Sequence, residues 1–95
     1  MRFQPLMNTI YGSSPLQKAR QGFLLDFLMT RERIKYALYF DEFDEAEELA
    51  NRFDRWTGKM LDDISVDEDN FWPTCDLLDS MVLDLRALLP VVEAA

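Results

Sequence analysis

The chain of 95 residues contains no histidine, one cysteine and three glycines. Without histidine it cannot build a histidine-based triad, an imidazole proton shuttle or a zinc site with imidazole ligands. The single cysteine, Cys75, cannot form an internal disulfide, and it fits a reducing cytoplasm. The glycines Gly12, Gly22 and Gly58 are too scattered for a phosphate-cradling loop. We therefore expect a protein that is not an enzyme and that takes no cofactor.

Long apolar runs are also missing. The run at residues 23–25 is broken by Asp26, and no run approaches the length of a membrane span, so the sequence predicts no transmembrane helix. The first residues carry one arginine and then Pro5 within the only apolar patch, which is a poor signal peptide. The apolar fraction of 48% is enough for one core in a chain of this length. We expect a cytoplasmic protein with a single domain over residues 1–95.

Charge is unevenly distributed along the chain. The net charge is −8, yet residues 1–40 carry six basic and two acidic side chains, a balance of +4. Residues 41–95 carry four basic and sixteen acidic side chains, a balance of −12. Because the overall acidity repels phosphates, we expect no direct binding to nucleic acid or to an anionic membrane. Two interpretations of the asymmetry remain open: attraction between helices of one chain, or an acidic surface that meets a basic partner.

Apolar residues recur with helical spacing in three segments, and no segment shows the alternation of a strand. The pattern predicts an all-α fold, a three-helix bundle with an apolar N-terminal arm. We expect the arm at residues 1–13 and the helices at 14–40, 44–64 and 73–89.

Helix starts are marked by capping patterns. Ser14 can cap the first helix, Pro15 suits its first position, and Gln17 completes a capping box. Asp44 and Glu47 repeat the same spacing at the expected start of the second helix. The sequence therefore predicts a capping box at both helices.

The segment between the first two helices, residues 39–46, reads Tyr-Phe-Asp-Glu-Phe-Asp-Glu-Ala. It resembles the hairpin turn of a tetratricopeptide repeat. No second copy follows at the period of that family, which needs about three repeats to form a solenoid. The resemblance therefore implies an antiparallel helical hairpin and nothing more.

The first helix is apolar on two opposite sides. One stripe is expected to face the core: Leu16, Ala19, Phe23, Leu24, Phe27, Ile34, Ala37 and Leu38. A second stripe lies opposite and consists of Leu25, Met29, Tyr36 and Phe40, with Leu28 and Tyr39 at its shoulder. Three explanations remain open for the second stripe. The arm covers it, the helix is the middle one of the three, or another chain binds there.

We expect the third explanation, because aromatic residues, methionine and arginine are enriched at protein interfaces. The expected protein-binding residues are Leu25, Met29, Arg33, Tyr36, Tyr39 and Phe40. They predict a small acidic regulator that binds another protein, as an inhibitor, an anti-activator or a chaperone-like adaptor. A homodimer through the first helix is also expected.

The alternative function is nucleic-acid mimicry, in the manner of phage-encoded inhibitors of bacterial defence. In this hypothesis carboxylates imitate phosphates and block a nucleic-acid-binding protein. The candidate surface consists of Glu47, Asp54, Asp62, Asp63, Asp67, Glu68 and Asp69. The basic residues Arg52, Arg55 and Lys59 interrupt it, and the acidic loop lacks the twelve-residue calcium pattern, so we expect no metal site.

Overall fold

A computed structural model of the chain describes residues 14–90, which form three α-helices and contain no β-strand. Helix α1 spans Pro15–Tyr39, α2 spans Phe43–Asp62, and α3 spans Phe71–Ala87. The all-α three-helix bundle predicted from the sequence is confirmed. The expected arm at 1–13 lies outside the described residues.

Helix α1 begins with the predicted capping box. The backbone N–H of Gln17 donates to Ser14 Oγ at 3.1 Å, and the backbone N–H of Ser14 donates to Gln17 Oε1 at 3.0 Å. The backbone N–H of Leu16 donates to Glu68 Oε1 at 3.3 Å, across 52 positions of sequence. This carboxylate lies where a helix N-terminus favours negative charge, and it fastens the loop between α2 and α3 to the start of α1.

The turn between α1 and α2 is a Schellman motif. The backbone N–H of Glu42 donates to the Ala37 carbonyl at 2.8 Å, and that of Asp41 donates to the Leu38 carbonyl at 3.0 Å. Asp41 adopts φ 60°, the left-handed conformation that glycine usually supplies. The chain therefore enters α2 without any intervening extended residues.

The predicted capping box of α2 is wrong. The helix begins at Phe43 with Glu42 as its N-cap, and the side chain of Glu42 makes no capping hydrogen bond. Because the Schellman turn starts the helix one residue earlier than expected, Asp44 lies inside the first turn and cannot act as the cap. Asp44 and Glu45 still place negative charge near the helix N-terminus.

Helix α3 also begins two residues earlier than predicted. Its N-cap is Asn70, at φ 69°, and the Thr74 hydroxyl donates to the Asn70 carbonyl at 2.7 Å. Pro73 is the third helical residue rather than the first. A proline is tolerated there because the first four N–H groups of a helix have no intrahelical partner.

The core lies along the α1–α2 hairpin and is closed by α3. Phe23 meets Trp56 with a ring separation of 5.8 Å, and Phe27 meets Phe53 at 6.2 Å, so the two helices run antiparallel. The small residues of the core let the two helix backbones approach closely. The core consists of Ala19, Phe23, Phe27, Ile34 and Ala37 from α1, Ala46, Leu49, Ala50 and Phe53 from α2, and Leu78, Met81, Val82 and Leu85 from α3.

Leu24 is not part of this core, although its position in the first stripe predicted burial. It is 51% exposed. Successive residues of a helix are about 100° apart, so the side chain of Leu24 points roughly 100° away from that of the fully buried Phe23. It therefore lies outside the surface of α1 that contacts the other helices. Leu38, at the other margin of the first stripe, is half-buried against the core.

Candidate functional site

The outer face of α1 is the side of the helix that points away from the core. Its large side chains are between 40% and 82% exposed, with Tyr39 the most accessible. Single exposed apolar residues are ordinary on protein surfaces, but several of them on one side of a helix are not. The face consists of Leu24, Leu25, Leu28, Met29, Tyr36, Tyr39 and Phe40.

The outer face stays open because α2 and α3 both pack against the opposite side of α1. The residues that α1 buries, such as Phe23, Phe27 and Ile34, share one side of the helix. The explanation in which α1 is the middle helix, covered on both sides, is therefore wrong. The explanation in which the arm covers the second stripe concerns residues outside 14–90. Binding of another chain stays a prediction.

The C-terminal part of the outer face is a cluster of three aromatic rings. Tyr36 and Phe40 have ring centroids 4.8 Å apart, and Tyr39 and Phe40 are 5.1 Å apart with their planes at 89°. Edge-to-face contacts of this kind hold the rings in defined positions. An open cleft of about 480 Å³ lies beside the cluster, between α1 and α2. It is lined by Glu32, Arg33, Tyr36, Ala37, Glu42, Glu45, Leu49 and Arg52.

Charged side chains divide the outer face into two parts. Glu32 lies between the aliphatic residues and the aromatic cluster, with its carboxylate 3.5 Å from Lys35 Nζ and 3.7 Å from Arg31 Nε. Arg33 is exposed at the margin of the face. Within residues 14–90 neither Arg33 nor the half-buried Asp26 forms an ion pair. The face therefore has a polar centre and flanking charges that the described fold does not neutralise.

A groove beside Gly22 extends the N-terminal part of the outer face. A Cβ added to Gly22 would meet nothing within 4 Å outside the helix's own backbone, so packing among the described residues does not require glycine there. An interior glycine destabilises a helix by up to about 1 kcal/mol relative to alanine. The groove has a volume of about 350 Å³ and is mainly apolar. It is lined by Pro15, Lys18, Ala19, Gly22, Trp56, Met60, Asp63 and Ile64.

The seven carboxylates of the proposed mimic surface do not form one uniform array. Asp54 pairs with Arg86 at 2.9 Å, and Glu68 binds the N-terminus of α1. These two carboxylates serve contacts within the chain. The remaining five are exposed: Glu47, Asp62, Asp63, Asp67 and Asp69. No cluster of histidine, cysteine and carboxylate side chains within residues 14–90 is arranged to hold a metal ion.

Cys75 lies near the start of α3 and is half-buried rather than fully enclosed. Burial raises the pKa of its thiol, and the negative charges of Asp79 and Asp76 raise this pKa further. The thiol is therefore protonated at neutral pH and is a poor nucleophile.

Three features of the site were not identified from the sequence. The apolar periodicity places Leu24 in the core, and the groove beside Gly22 depends on Trp56, which comes from another helix. Glu68 was read as one of several loop acids, although it stabilises the start of α1. The missing first-turn acid of α1 was the one signal for this role, since every residue from Pro15 to Lys18 is uncharged or basic.

Within residues 14–90 no helix combines the length and the apolar character that crossing a bilayer demands. In comparisons with known proteins, the chain matches no family model, no curated protein and no solved structure.

Proposed function

We propose that this chain is a non-enzymatic regulator that binds another protein through the outer face of α1. One observation carries the proposal: six large apolar side chains of α1 and that of its C-cap residue, Phe40, are exposed on one side of the helix. Exposed apolar groups of this extent on small proteins mark interaction sites, and their aromatic and methionine content is typical of interface centres.

The arrangement fits a partner that offers an apolar groove. A helix docks into such a groove through side chains spaced three, four and seven residues apart. Leu25, Leu28 and Met29 provide the first two spacings, and Tyr36 follows seven residues after Met29. Arg33 at the margin adds a donor that can pair with a carboxylate of the partner. The partner would be inhibited, held inactive or kept folded while its own apolar groove is occupied. A single half-buried cysteine agrees with a role in the reducing cytoplasm.

Two exposed leucines make a matched test. Leu25 is 61% exposed on the outer face, whereas Leu83 is 67% exposed on α3 among polar neighbours. A photo-crosslinking residue, p-benzoylphenylalanine, replaces one or the other in the full chain inside its native cell. We expect illumination to attach a different polypeptide at position 25 and not at position 83. Mass spectrometry identifies that polypeptide.

The identified partner is then purified and titrated with Leu25→Asp and Leu83→Asp variants. We expect Leu25→Asp to weaken binding at least about tenfold, because it places a charge in an apolar contact, and Leu83→Asp to leave the affinity unchanged. Binding through the outer face should also change little with salt, whereas binding through the acidic residues should weaken steeply. Equal adducts at both positions, or equal effects of both substitutions, would refute the proposal.

A further inference from the structure

We propose that in the free protein the outer face of α1 is covered by the same face of a second copy of the chain. The two α1 helices run antiparallel. Along the helix, the two-fold axis lies level with the peptide bond between Thr30 and Arg31. The inference rests on the proposed function in one respect, since it concerns the same surface. It adds what occupies that surface when the target is absent.

The spacing along the outer face is that of a coiled-coil seam. Starting at position 18, the residues that point outward follow at intervals of four, three, four, three, four and three. This alternation is the heptad repeat that keeps one side of a helix against a neighbouring helix. Four residues of this seam belong to the outer face, namely Leu25, Met29, Tyr36 and Tyr39, and the other three are Lys18, Gly22 and Glu32.

Gly22 and Tyr39 are complementary in this register. The two-fold axis places Tyr39 of the second copy opposite Gly22, where the helix has no side chain and the apolar groove of about 350 Å³ is open. Tyr39 is the most exposed large apolar side chain of the described residues, at 82%. The contact therefore explains both a glycine that the fold does not require and a tyrosine that the fold does not bury.

Glu32 sets the relative direction of the two helices. In a parallel pair Glu32 would face Glu32 of the second copy in the centre of the seam, and the two carboxylates would repel each other. In the antiparallel pair Glu32 faces Met29, and Leu25 faces Tyr36. A polar residue within a seam commonly selects one arrangement at some cost in stability.

Asp26 and Arg33 set the register. These residues flank the seam on one side, and in the antiparallel pair Asp26 of each copy lies beside Arg33 of the other. A shift of seven residues in one direction would bring Asp26 against Asp26, and in the other direction Arg33 against Arg33. Neither side chain has an ion-pair partner among residues 14–90 of its own chain, so the contact with the second copy breaks no ion pair of the described fold.

The ends of the seam are complementary as well. The basic N-terminal end of α1, with Lys18 exposed on the seam, lies next to the α1–α2 turn of the second copy. That turn exposes Asp41 and Glu42. Since the same contact occurs at both ends, the uneven charge of the chain favours the antiparallel pair.

This pairing would make self-association and target binding mutually exclusive. Both use the outer face of α1, so a target must compete with the second copy, and free chain is held in a form that hides its apolar surface. The concentration of the chain then sets the fraction that is available to a target.

Cysteine pairing tests the register directly. All proteins carry Cys75→Ser, so that the only thiol is the introduced one. One chain carries Gly22→Cys and another carries Tyr39→Cys. They are equilibrated together, oxidised with copper–phenanthroline and separated without reductant. We expect a disulfide-linked dimer from the mixture and none from either chain alone, because identical positions lie about 25 Å apart along the antiparallel helices.

A second pair, Leu25→Cys with Tyr36→Cys, should behave in the same way and does not depend on the glycine. Gly22→Cys mixed with Leu83→Cys is the control and should give no linked dimer. Self-linked dimers from either chain alone would overturn the antiparallel register. No linked dimer from both mixtures, together with the mass of a single chain by light scattering, would overturn the pairing altogether.

The two proposals fail separately. A monomer that still gives a photo-adduct to another polypeptide at position 25 overturns the pairing and leaves the proposed function standing. A disulfide-linked dimer whose adducts at position 25 contain only a second copy supports the pairing and overturns the proposed function.

Discussion

Helices α1 and α2 form one hairpin, but they differ in how much apolar surface they expose. In α2 most apolar residues lie on the side that packs against α1 and α3, although Phe43, Trp56 and Met60 are 38–48% exposed, and the remainder is mostly charged. In α1 the buried side is as apolar, but Leu25, Met29 and Tyr36 lie exposed on the other side. The described fold accounts for most of the apolar residues of α2. It leaves more of those of α1 exposed, and this difference is the basis of the proposed contact.

The N-termini of α1 and α2 differ in where their negative charge comes from. Helix α2 carries its own acidic residues in the first turn, Asp44 and Glu45. Helix α1 has none there, and Glu68 supplies the negative charge from the α2–α3 loop. The start of α1 is therefore stabilised by tertiary structure, whereas the start of α2 is stabilised by its own sequence.

The strongest test of the contrast compares two neighbouring positions on opposite sides of α1. Phe23→Ala should lower the free energy of unfolding by about 3–5 kcal/mol, because Phe23 is fully buried and the substitution leaves a cavity. Leu25→Ala should change it by less than about 0.5 kcal/mol at concentrations where the chain is monomeric, since Leu25 is exposed. Urea unfolding followed by circular dichroism measures both.

The dependence of stability on chain concentration is the control for the Leu25→Ala variant. If the proposed dimer forms, the stability of this variant should fall below that of the native chain only as the chain concentration rises, because association would stabilise the native chain alone. A large loss for Leu25→Ala at the lowest concentration would mean that Leu25 is packed within its own chain, and the contrast between the two sides of α1 would be wrong.

The next largest effect concerns the N-terminus of α1. Glu68→Ala removes the carboxylate that accepts from the Leu16 N–H, and we expect a loss of about 1 kcal/mol in the free energy of unfolding. Asp67→Ala is the control, because Asp67 is exposed and should contribute less than about 0.5 kcal/mol. Thermal unfolding at low salt compares them. Equal losses would mean that general loop charge, rather than the contact with α1, stabilises the helix.

A third prediction uses the two helical glycines, Gly22 on α1 and Gly58 on α2. Neither Gly22 nor Gly58 has an atom within 4 Å of an added Cβ outside its own helix backbone. Gly22→Ala and Gly58→Ala should therefore each raise the free energy of unfolding by up to about 1 kcal/mol in the monomer. Only Gly22→Ala should also reduce dimer formation in sedimentation velocity, because only Gly22 lies on the seam. Equal association of both variants would contradict the contact with Tyr39.

The regular features of this molecule followed from sequence periodicity and capping. The three helices, the start of α1 at Ser14 and the side of α1 that carries the second stripe all depend on local spacing. Helix periodicity fixes which residues share a side, but it does not fix how wide the contact with a neighbouring helix is. Leu24 was therefore assigned to the core, although it lies just outside that contact.

Features that depend on distant contacts or on unusual residues were missed. Apolar periodicity does not indicate buried threonines, because threonine is polar. The Thr57 hydroxyl nevertheless donates to the Phe53 carbonyl at 2.8 Å and is thereby satisfied within α2. Glu68 acts across 52 positions of sequence, which no local pattern reports. The Schellman turn was hidden because aspartate, rather than glycine, occupies its left-handed position.

That last residue gives the smallest predicted effect, at the junction between the two helices under comparison. Asp41 holds φ 60°, where a Cβ is strained and glycine is not. Asp41→Gly relieves this strain but adds freedom to the unfolded chain, so we expect a net gain of only about 0.5 kcal/mol in the free energy of unfolding. Asp41→Ala should be destabilising instead, because alanine keeps the strain and lacks the local hydrogen bonding of aspartate. If both variants lose stability equally in urea unfolding, the carboxylate of Asp41 itself, rather than its backbone conformation, stabilises the hairpin. The charge of Asp41 would then stabilise the turn, just as charged residues are proposed to stabilise the two ends of the dimer seam.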